Sequence, residues 1–99
     1  MKVTSTEQGL SLTGELVYGT VSDIDVIAKN LLKKHPSQSI TIDCKNLSKL
    51  DSAGIALLIE WKRWCSNDQK QFKIINANQN ALALIENYKL TEMLGFQIN

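Results

Sequence analysis

Asp51 and Ser52 stand at the head of an apolar stretch that reads LDSAGIALLIEWKRW over residues 50–64. A serine hydroxyl can act as a nucleophile, accept a phosphate group, or form hydrogen bonds with a partner. The carboxylate before it can cap a helix or carry a proton. Nucleophilic catalysis would need a base within hydrogen-bond reach of the hydroxyl, so the other titratable residues decide between these roles.

His35 is the only histidine, and it stands just before Pro36 at the end of a predicted helix. Histidines at helix C-termini commonly interact with the helix dipole, so we expect His35 at the surface. Asp23 and Asp25 are two residues apart and do not face each other on a helix, so we interpret them as capping residues. The chain has no GxSxG, P-loop or GxGxxG motif. The sequence therefore predicts a protein that is not an enzyme.

Cys44 and Cys65 are the only two cysteines, too few for a disulfide framework and too far apart for a CxxC metal site. We expect two reduced, partly buried thiols and no metal or cofactor. The 99 residues fit a single domain spanning 1–99, with a net charge of +1 and scattered lysines, so nucleic acid is not an expected partner. The longest apolar run covers residues 55–59, and the start MKVTSTEQ has no signal-peptide core. We expect a cytoplasmic chain without membrane insertion.

The spacing of apolar residues predicts a β-hairpin over residues 2–6 and 10–14, closed by Gly14. A helix over residues 21–34 follows, with Thr20 or Ser22 as its N-cap. Its predicted inward face consists of Val21, Ile24, Ile27, Ala28, Leu31 and Leu32.

The second half of the sequence predicts a strand over residues 39–44, a loop over 46–50, a helix over 52–66 and a strand over 72–75. A third helix is capped by Asn76 or Asn78, and a final turn covers residues 91–94. The order ββαβαβα predicts an α/β domain with a small mixed, mostly parallel sheet of four or five strands, an N-terminal hairpin and three main helices. The third helix is predicted to face inward with Ala81, Leu82, Leu84, Ile85 and Tyr88.

A helical wheel divides the second helix into two faces, at about 100° per residue. The predicted core face comprises Gly54, Leu57, Leu58, Trp61, Trp64 and Cys65, where the missing side chain of Gly54 lets the helix start close to a strand. The outward face comprises Ser52, Ile55, Ala56, Ile59, Lys62, Arg63 and Ser66. An outward apolar stripe rimmed by polar groups is typical of a protein-binding surface, although a loop of the same chain could also cover it.

The pair Asp51-Ser52 has two interpretations. As a helix cap, its side-chain oxygens would accept hydrogen bonds from unpaired amides of the first turn. As a regulatory site, Ser52 would accept a phosphate at the positive end of the helix, and the added charge would switch off whatever docks on the stripe.

The segment LDSAGIALL resembles the DSxGxxxL signature of STAS domains, the fold shared by anti-sigma-factor antagonists and the cytoplasmic tails of sulfate transporters. The resemblance covers nearly the whole chain, and three segments are most similar to the MlaB branch of the family: LSLTGEL (residues 10–16), LLIEW (57–61) and ALIENYKLTEML (83–94). The resemblance implies a STAS-like fold. It also implies that Ser52 matches the motif hydroxyl, which is a phosphorylation site in the anti-sigma branch.

The MlaB resemblance implies a non-enzymatic subunit that binds an MlaF-like ATPase, in a complex with an MlaE-like permease and an MlaD-like subunit, and supports phospholipid transport between the two membranes of a Gram-negative envelope. The chain would then be cytoplasmic and peripheral at the inner membrane. The alternative is an anti-sigma-factor-antagonist-type module switched by phosphorylation of Ser52. The predicted partner-binding residues are Lys49, Leu50, Asp51, Ser52, Ile55, Ala56, Ile59 and Arg63.

Overall fold

The computed structural model describes residues 1–87, which form four strands and three helices in the predicted order ββαβαβα. The predicted inward position of Tyr88 and the turn over residues 91–94 lie outside the described residues. The elements are β1 (Lys2–Ser5), β2 (Gly9–Leu16), α1 (Val21–Lys34), β3 (Ser39–Leu50), α2 (Ser52–Asn67), β4 (Gln71–Ile75) and α3 (Gln79–Asn87).

The strands form one mixed sheet in the order β1-β2-β3-β4. β1 pairs antiparallel with β2 as the predicted hairpin, whereas β2–β3 and β3–β4 are parallel pairs joined by the crossover helices α1 and α2. The two helices contact each other, α1 packs on β1 and β2, and α2 packs on β3 and β4. Alternate strand residues point toward these helices and form the core, among them Leu10, Leu12, Ile40, Ile42, Phe72 and Ile74.

The predicted loop over residues 46–50 is wrong, because β3 continues as a strand to Leu50. β2 likewise does not close at Gly14 but runs to Leu16, which pairs with Leu50. The two strands stay paired through register shifts, one of them between Gly14 and Glu15, and Gly14 has φ +104°. A non-glycine side chain would be strained there, so the glycine lets β2 continue through an irregularity instead of ending it.

Two predictions for α1 need correction. Ile24, Ala28 and Leu32 are buried as expected, but the side chain of Ile27 is 48% exposed. Only the arc of α1 that faces the sheet and α2 is covered, and Ile27 lies beyond its edge. Asp25 is not a capping residue, since its Oδ1 accepts a hydrogen bond from Trp61 Nε1 at 3.0 Å and joins α1 to α2.

An ion pair reinforces this helix–helix contact. Lys29 Nζ lies 3.2 Å from Asp25 Oδ2 and 3.0 Å from Glu60 Oε1. Hydrogen bonds to Glu60 and Asp25 raise the pKa of Lys29, so the ammonium stays charged between the two carboxylates. Trp61 is fully buried beside this contact, whereas Trp64 is only half-buried.

His35 is not a surface residue, because its side chain is only 7% exposed. Its Nε2 lies 2.7 Å from the carbonyl oxygen of Thr6, and its Nδ1 accepts a hydrogen bond from the Ser37 amide at 3.1 Å. Lys70 Nζ donates to the carbonyl oxygen of His35 at 2.8 Å. The turn between β1 and β2 therefore covers the end of α1, a contact that a pattern within α1 does not reveal.

Both cysteines are free and buried, as expected for structural thiols. Burial raises the pKa of Cys44 to about 12 and also raises that of Cys65, so both thiols are protonated at neutral pH. Within residues 1–87, no group of three or more His, Cys, Asp or Glu side chains could hold a metal ion. No helix in the same range is long and apolar enough to cross a membrane.

The third helix is held by one of its two predicted caps. Asn78 Oδ1 accepts a hydrogen bond from the Ala81 amide at 2.8 Å, so Asn78 rather than Asn76 is the cap. Ala81 and Ile85 are buried, as predicted for the inward face. Ile85 joins the same apolar cluster as α2, which brings α3 into the core.

Candidate functional site

The candidate site lies where β3 ends and α2 begins. Asp51 is the N-cap of α2, and its Oδ1 accepts a hydrogen bond from the Gly54 amide at 3.0 Å, which confirms the predicted cap. Ser52 is the first residue of the helix, and its side chain is exposed. The cap therefore satisfies one of the unpaired amides of the first turn, while the residue next to it remains exposed.

Gly54 fixes how closely α2 approaches the sheet. It is buried, and a Cβ at this position would collide with the carbonyl oxygen of Leu16 and approach Leu50 Cδ1 to 2.7 Å. The prediction that a glycine lets the helix start close to a strand is confirmed, and the strand is β2. The last residues of β2 and β3 thus hold the first turn of α2 in place.

Asp51 also connects a second segment to this place. Its Oδ2 accepts a hydrogen bond at 3.0 Å from the amide of Tyr18, in the turn between β2 and α1. Burial acts to raise the pKa of this carboxyl, but hydrogen bonds from the Tyr18, Gly54 and Ala53 amides and the charge of Lys49 outweigh it and lower the pKa. Asp51 is therefore ionised at neutral pH, with both oxygens bonded to backbone amides.

Sequence reasoning missed Tyr18, whose side chain is 83% exposed. It lies 33 residues before Asp51 in the chain, so no local pattern joins the two. The only signal in the sequence was a large aromatic residue within a turn, where polar residues and glycine are usual.

The exposed face of α2 is narrower than the wheel predicted. Ser52, Ala56 and Arg63 are exposed, but Ile55 is only 3% exposed and Ile59 is half-buried against the core. The outward placement of Ile55 is therefore wrong. The buried side of α2 is wider than the wheel assumed, and it includes Ile55 beside Leu58, which lies three residues later on the helix.

An open groove of about 260 Å³ runs between α1 and α2 beside this face. Small side chains on α2, Ala53 and Ala56, keep it open at the end nearest Ser52, and Asp25 and Glu60 stand at the other side. We call Tyr18, Asp51, Ser52 and this groove the α2 edge. The groove is lined by Val21, Ser22, Asp25, Ala53, Ala56, Leu57 and Glu60.

The remaining predicted partner-binding residues lie at different distances from the α2 edge. Lys49 is exposed and Leu50 half-buried at the end of β3, next to Asp51. Arg63 follows Ser52 by eleven residues, which is about 16 Å along the helix axis. The structure thus brings Lys49, Leu50, Asp51, Ser52 and Ala56 together and places Arg63 at the far end of the same exposed face.

The geometry does not activate the Ser52 hydroxyl as a nucleophile. Asp51, its neighbour, uses both carboxylate oxygens to accept backbone amides. His35 precedes β3 and Ser52 follows it, so the imidazole lies at the opposite end of that strand, bonded to Thr6 and Ser37. The only histidine of the sequence is therefore not in a position to act as the base for Ser52.

Comparison with known proteins places this geometry in a family. The family model described as "Mlab, STAS domain" matches residues 1–95. Among solved structures, the unphosphorylated form of the anti-sigma factor antagonist SpoIIAA is similar, with a TM-score of 0.75, 16% identity, and coverage of 99% of this chain and 88% of that one. No curated protein matches. The match over residues 1–95 shows that the chain belongs to the Mlab, STAS domain family.

Proposed function

We propose that this chain is a non-enzymatic subunit that binds the ATPase of an intermembrane phospholipid-transport ABC transporter through the α2 edge and the exposed face of α2. STAS domains generally mediate protein–protein interactions rather than catalysis. The match to the family described as Mlab favours the transporter assignment. By this account the chain supports assembly and activity of a transporter that maintains the lipid asymmetry of an outer membrane.

The observation that carries the proposal is the open groove beside an exposed serine at the start of α2. Ala53 and Ala56 leave space between α1 and α2, so a side chain of the partner can enter there. Ser52 lies at the rim, where its hydroxyl can exchange a hydrogen bond with water for one with the partner. Lys49 and Arg63 supply exposed positive charge at the two ends of this surface.

The direct partner is an MlaF-like ATPase. An MlaE-like permease and an MlaD-like subunit are reached only through the assembled complex. The chain itself would then be cytoplasmic and held at the inner membrane by its partner rather than by insertion.

Ala56→Asp tests whether the α2 edge is the docking surface. Ala56 is exposed, so the substitution leaves the core intact and places a charge in the groove. We expect affinity for the cognate ATPase to fall more than tenfold, measured by surface plasmon resonance with purified proteins. Ser52→Asp should weaken binding as well, without loss of stability, since negative charge is favoured at a helix N-terminus.

Ala83→Asp is the matched control, because Ala83 is an exposed alanine on α3. It should bind the ATPase like the wild type. If Ala56→Asp and Ser52→Asp are folded by circular dichroism and also bind like the wild type, the α2 edge is not the docking surface.

The second candidate is an anti-sigma-factor-antagonist-type module switched at Ser52. Two observations favour it: the similarity to SpoIIAA and the exposed hydroxyl at the N-terminus of α2. A phosphate there would lie beside the Asp51 carboxylate and change the charge of the α2 edge. Mass spectrometry of protein from its native cells should then find phosphate on Ser52, and its absence in all growth phases would reject this candidate.

A further inference from the structure

Tyr18 is the most exposed large hydrophobic side chain among residues 1–87. The residue is 83% exposed, so its ring contributes little to the core. Exposed aromatic rings are costly to leave in water and are enriched among the residues that contribute most to protein–protein binding.

The turn that carries Tyr18 is held by its own hydrogen bonds. Thr20 Oγ1 donates to the carbonyl oxygen of Glu15 at 2.8 Å and accepts from the Val17 amide at 3.1 Å. The Val21 amide donates to the carbonyl oxygen of Val17 at 3.1 Å. The backbone on both sides of Tyr18 is thus fixed, so little backbone entropy remains to be lost when the ring meets a partner.

Asp51 fixes the direction in which this turn faces. One carboxylate oxygen accepts the Tyr18 amide and the other accepts the Gly54 amide, each at 3.0 Å. The aromatic residue is therefore attached to the first turn of α2, directly beside Ser52. Val21, three residues later in the chain, lines the groove, so the segment that carries Tyr18 leads into the proposed docking surface.

We propose that Tyr18 is the aromatic anchor of the α2 edge, inserting its ring into an apolar pocket of the ATPase, and that Asp51 is the positioning residue that aims it. This inference rests on the proposed function, because the ATPase is the occupant to which it commits. The ring supplies apolar area from a fixed backbone, and the hydroxyl stays at the mouth of the pocket. Ser52 and Ala56 then lie at the surrounding rim.

Binding of the purified chain to the cognate ATPase tests the anchor. We expect Tyr18→Ala to weaken the affinity at least tenfold and Tyr18→Phe to stay within threefold of the wild type, since the ring and not the hydroxyl fills the pocket. Ile27→Ala is the control: Ile27 is 48% exposed, and about 160° on the α1 wheel separates it from Asp25, which faces α2. It should bind normally.

A double-mutant cycle with Asp51→Asn tests the positioning role. Asparagine replaces one of the two acceptor oxygens with an NH2 donor, and because it is a good N-cap it keeps the bond to the Gly54 amide and loses the one to the Tyr18 amide. Asp51→Asn should weaken ATPase binding when it is the only substitution, and it should have little further effect when Tyr18 is already alanine. A residue that only stabilises the fold would give additive losses instead, and that result would overturn the positioning role.

The outcomes separate this inference from the function on which it rests. No binding by the wild-type chain overturns both. If the wild-type chain binds the ATPase, Ala56→Asp abolishes that binding and Tyr18→Ala leaves it unchanged, only the anchor is overturned. Tyr18→Ala could instead abolish self-association of the chain and leave the ATPase affinity unchanged. That result would assign the ring to contact with a second copy of the chain and would also overturn the anchor.

Discussion

Two polar clusters lie at opposite ends of β3, and they differ in what they leave exposed. Before the strand, His35 joins the end of α1 to Thr6 in the β1–β2 turn and to Ser37. After the strand, Asp51 joins the start of α2 to Tyr18 in the β2–α1 turn. Each cluster thus fastens a helix terminus to a turn that is distant in sequence.

The difference is in the groups that remain for a partner. His35 is 7% exposed, and both of its ring nitrogens are bonded within the fold. At the other end, the Asp51 carboxylate is used internally, but Ser52 and Tyr18 are exposed. We interpret the first cluster as structural and the second as a docking surface. Substitutions at each end of β3 test this difference in role.

Gly54→Ala should have the largest effect. Alanine raises helix propensity by about 1 kcal/mol, but its Cβ would collide with the Leu16 carbonyl oxygen, and a backbone atom cannot move aside by changing rotamer. We expect a net loss of about 2 kcal/mol in the free energy of unfolding, measured with urea, together with weaker ATPase binding.

Gly19→Ala is the control for that substitution. No atom lies within 4 Å of a Cβ built at Gly19, so its free energy of unfolding should change by less than about 1 kcal/mol. Equal stability of the two variants would show that the close approach of α2 to β2 is not what fixes the α2 edge.

His35→Ala should separate stability from binding. It removes one of the two hydrogen bonds to the Thr6 carbonyl oxygen and the bond from the Ser37 amide, so we expect a loss of about 2 kcal/mol in the free energy of unfolding. Affinity for the ATPase at a temperature where the variant is folded should stay within twofold. Lys34→Ala, a substitution at the exposed residue next to His35, should change neither the free energy of unfolding nor the ATPase affinity appreciably. Normal stability combined with lost binding would reverse the roles of the two clusters.

The smallest effect concerns the charge of Asp51. Its pKa is lowered in the folded state, so its contribution to stability is complete above the ordinary carboxyl pKa of about 3.9 and is lost as the pH falls through the folded value. Because the group is partly solvated, we expect less than about 1 kcal/mol. The difference in free energy of unfolding between wild type and Asp51→Asn should shrink between pH 7 and pH 2.5. A constant difference would exclude a role for the charge.

The sequence predicted the order of elements because the alternating segments and the helical periodicities are local patterns. It also predicted the Asp51 cap and the strand contact of Gly54, which depend on positions within one helix turn. It failed where burial depends on how elements pack together: His35 is covered by a turn 29 residues away, and Ile55 is buried although the wheel placed it on the outward face.

The candidate site also has one part that the sequence predicted and one part that it did not. Ser52 and Ala56 were identified because a wheel orders the faces of a single helix. Tyr18 and the groove were missed because they arise from contacts between β2, α1 and α2, which no periodicity encodes. The extension of β3 to Leu50 was missed because Asn46 to Leu50 has the composition of a loop, while pairing with a long β2 overrides that propensity.

Amide hydrogen exchange of the chain, alone and saturated with the cognate ATPase, tests whether the α2 edge is the docking surface. We expect slower exchange on binding at residues 17–22 and 52–57, the two segments joined by Asp51, and no change at residues 5–9 and 35–39 around His35. Slower exchange confined to the His35 end, or no change at residues 52–57 in a complex shown to form, would mean that the partner docks elsewhere.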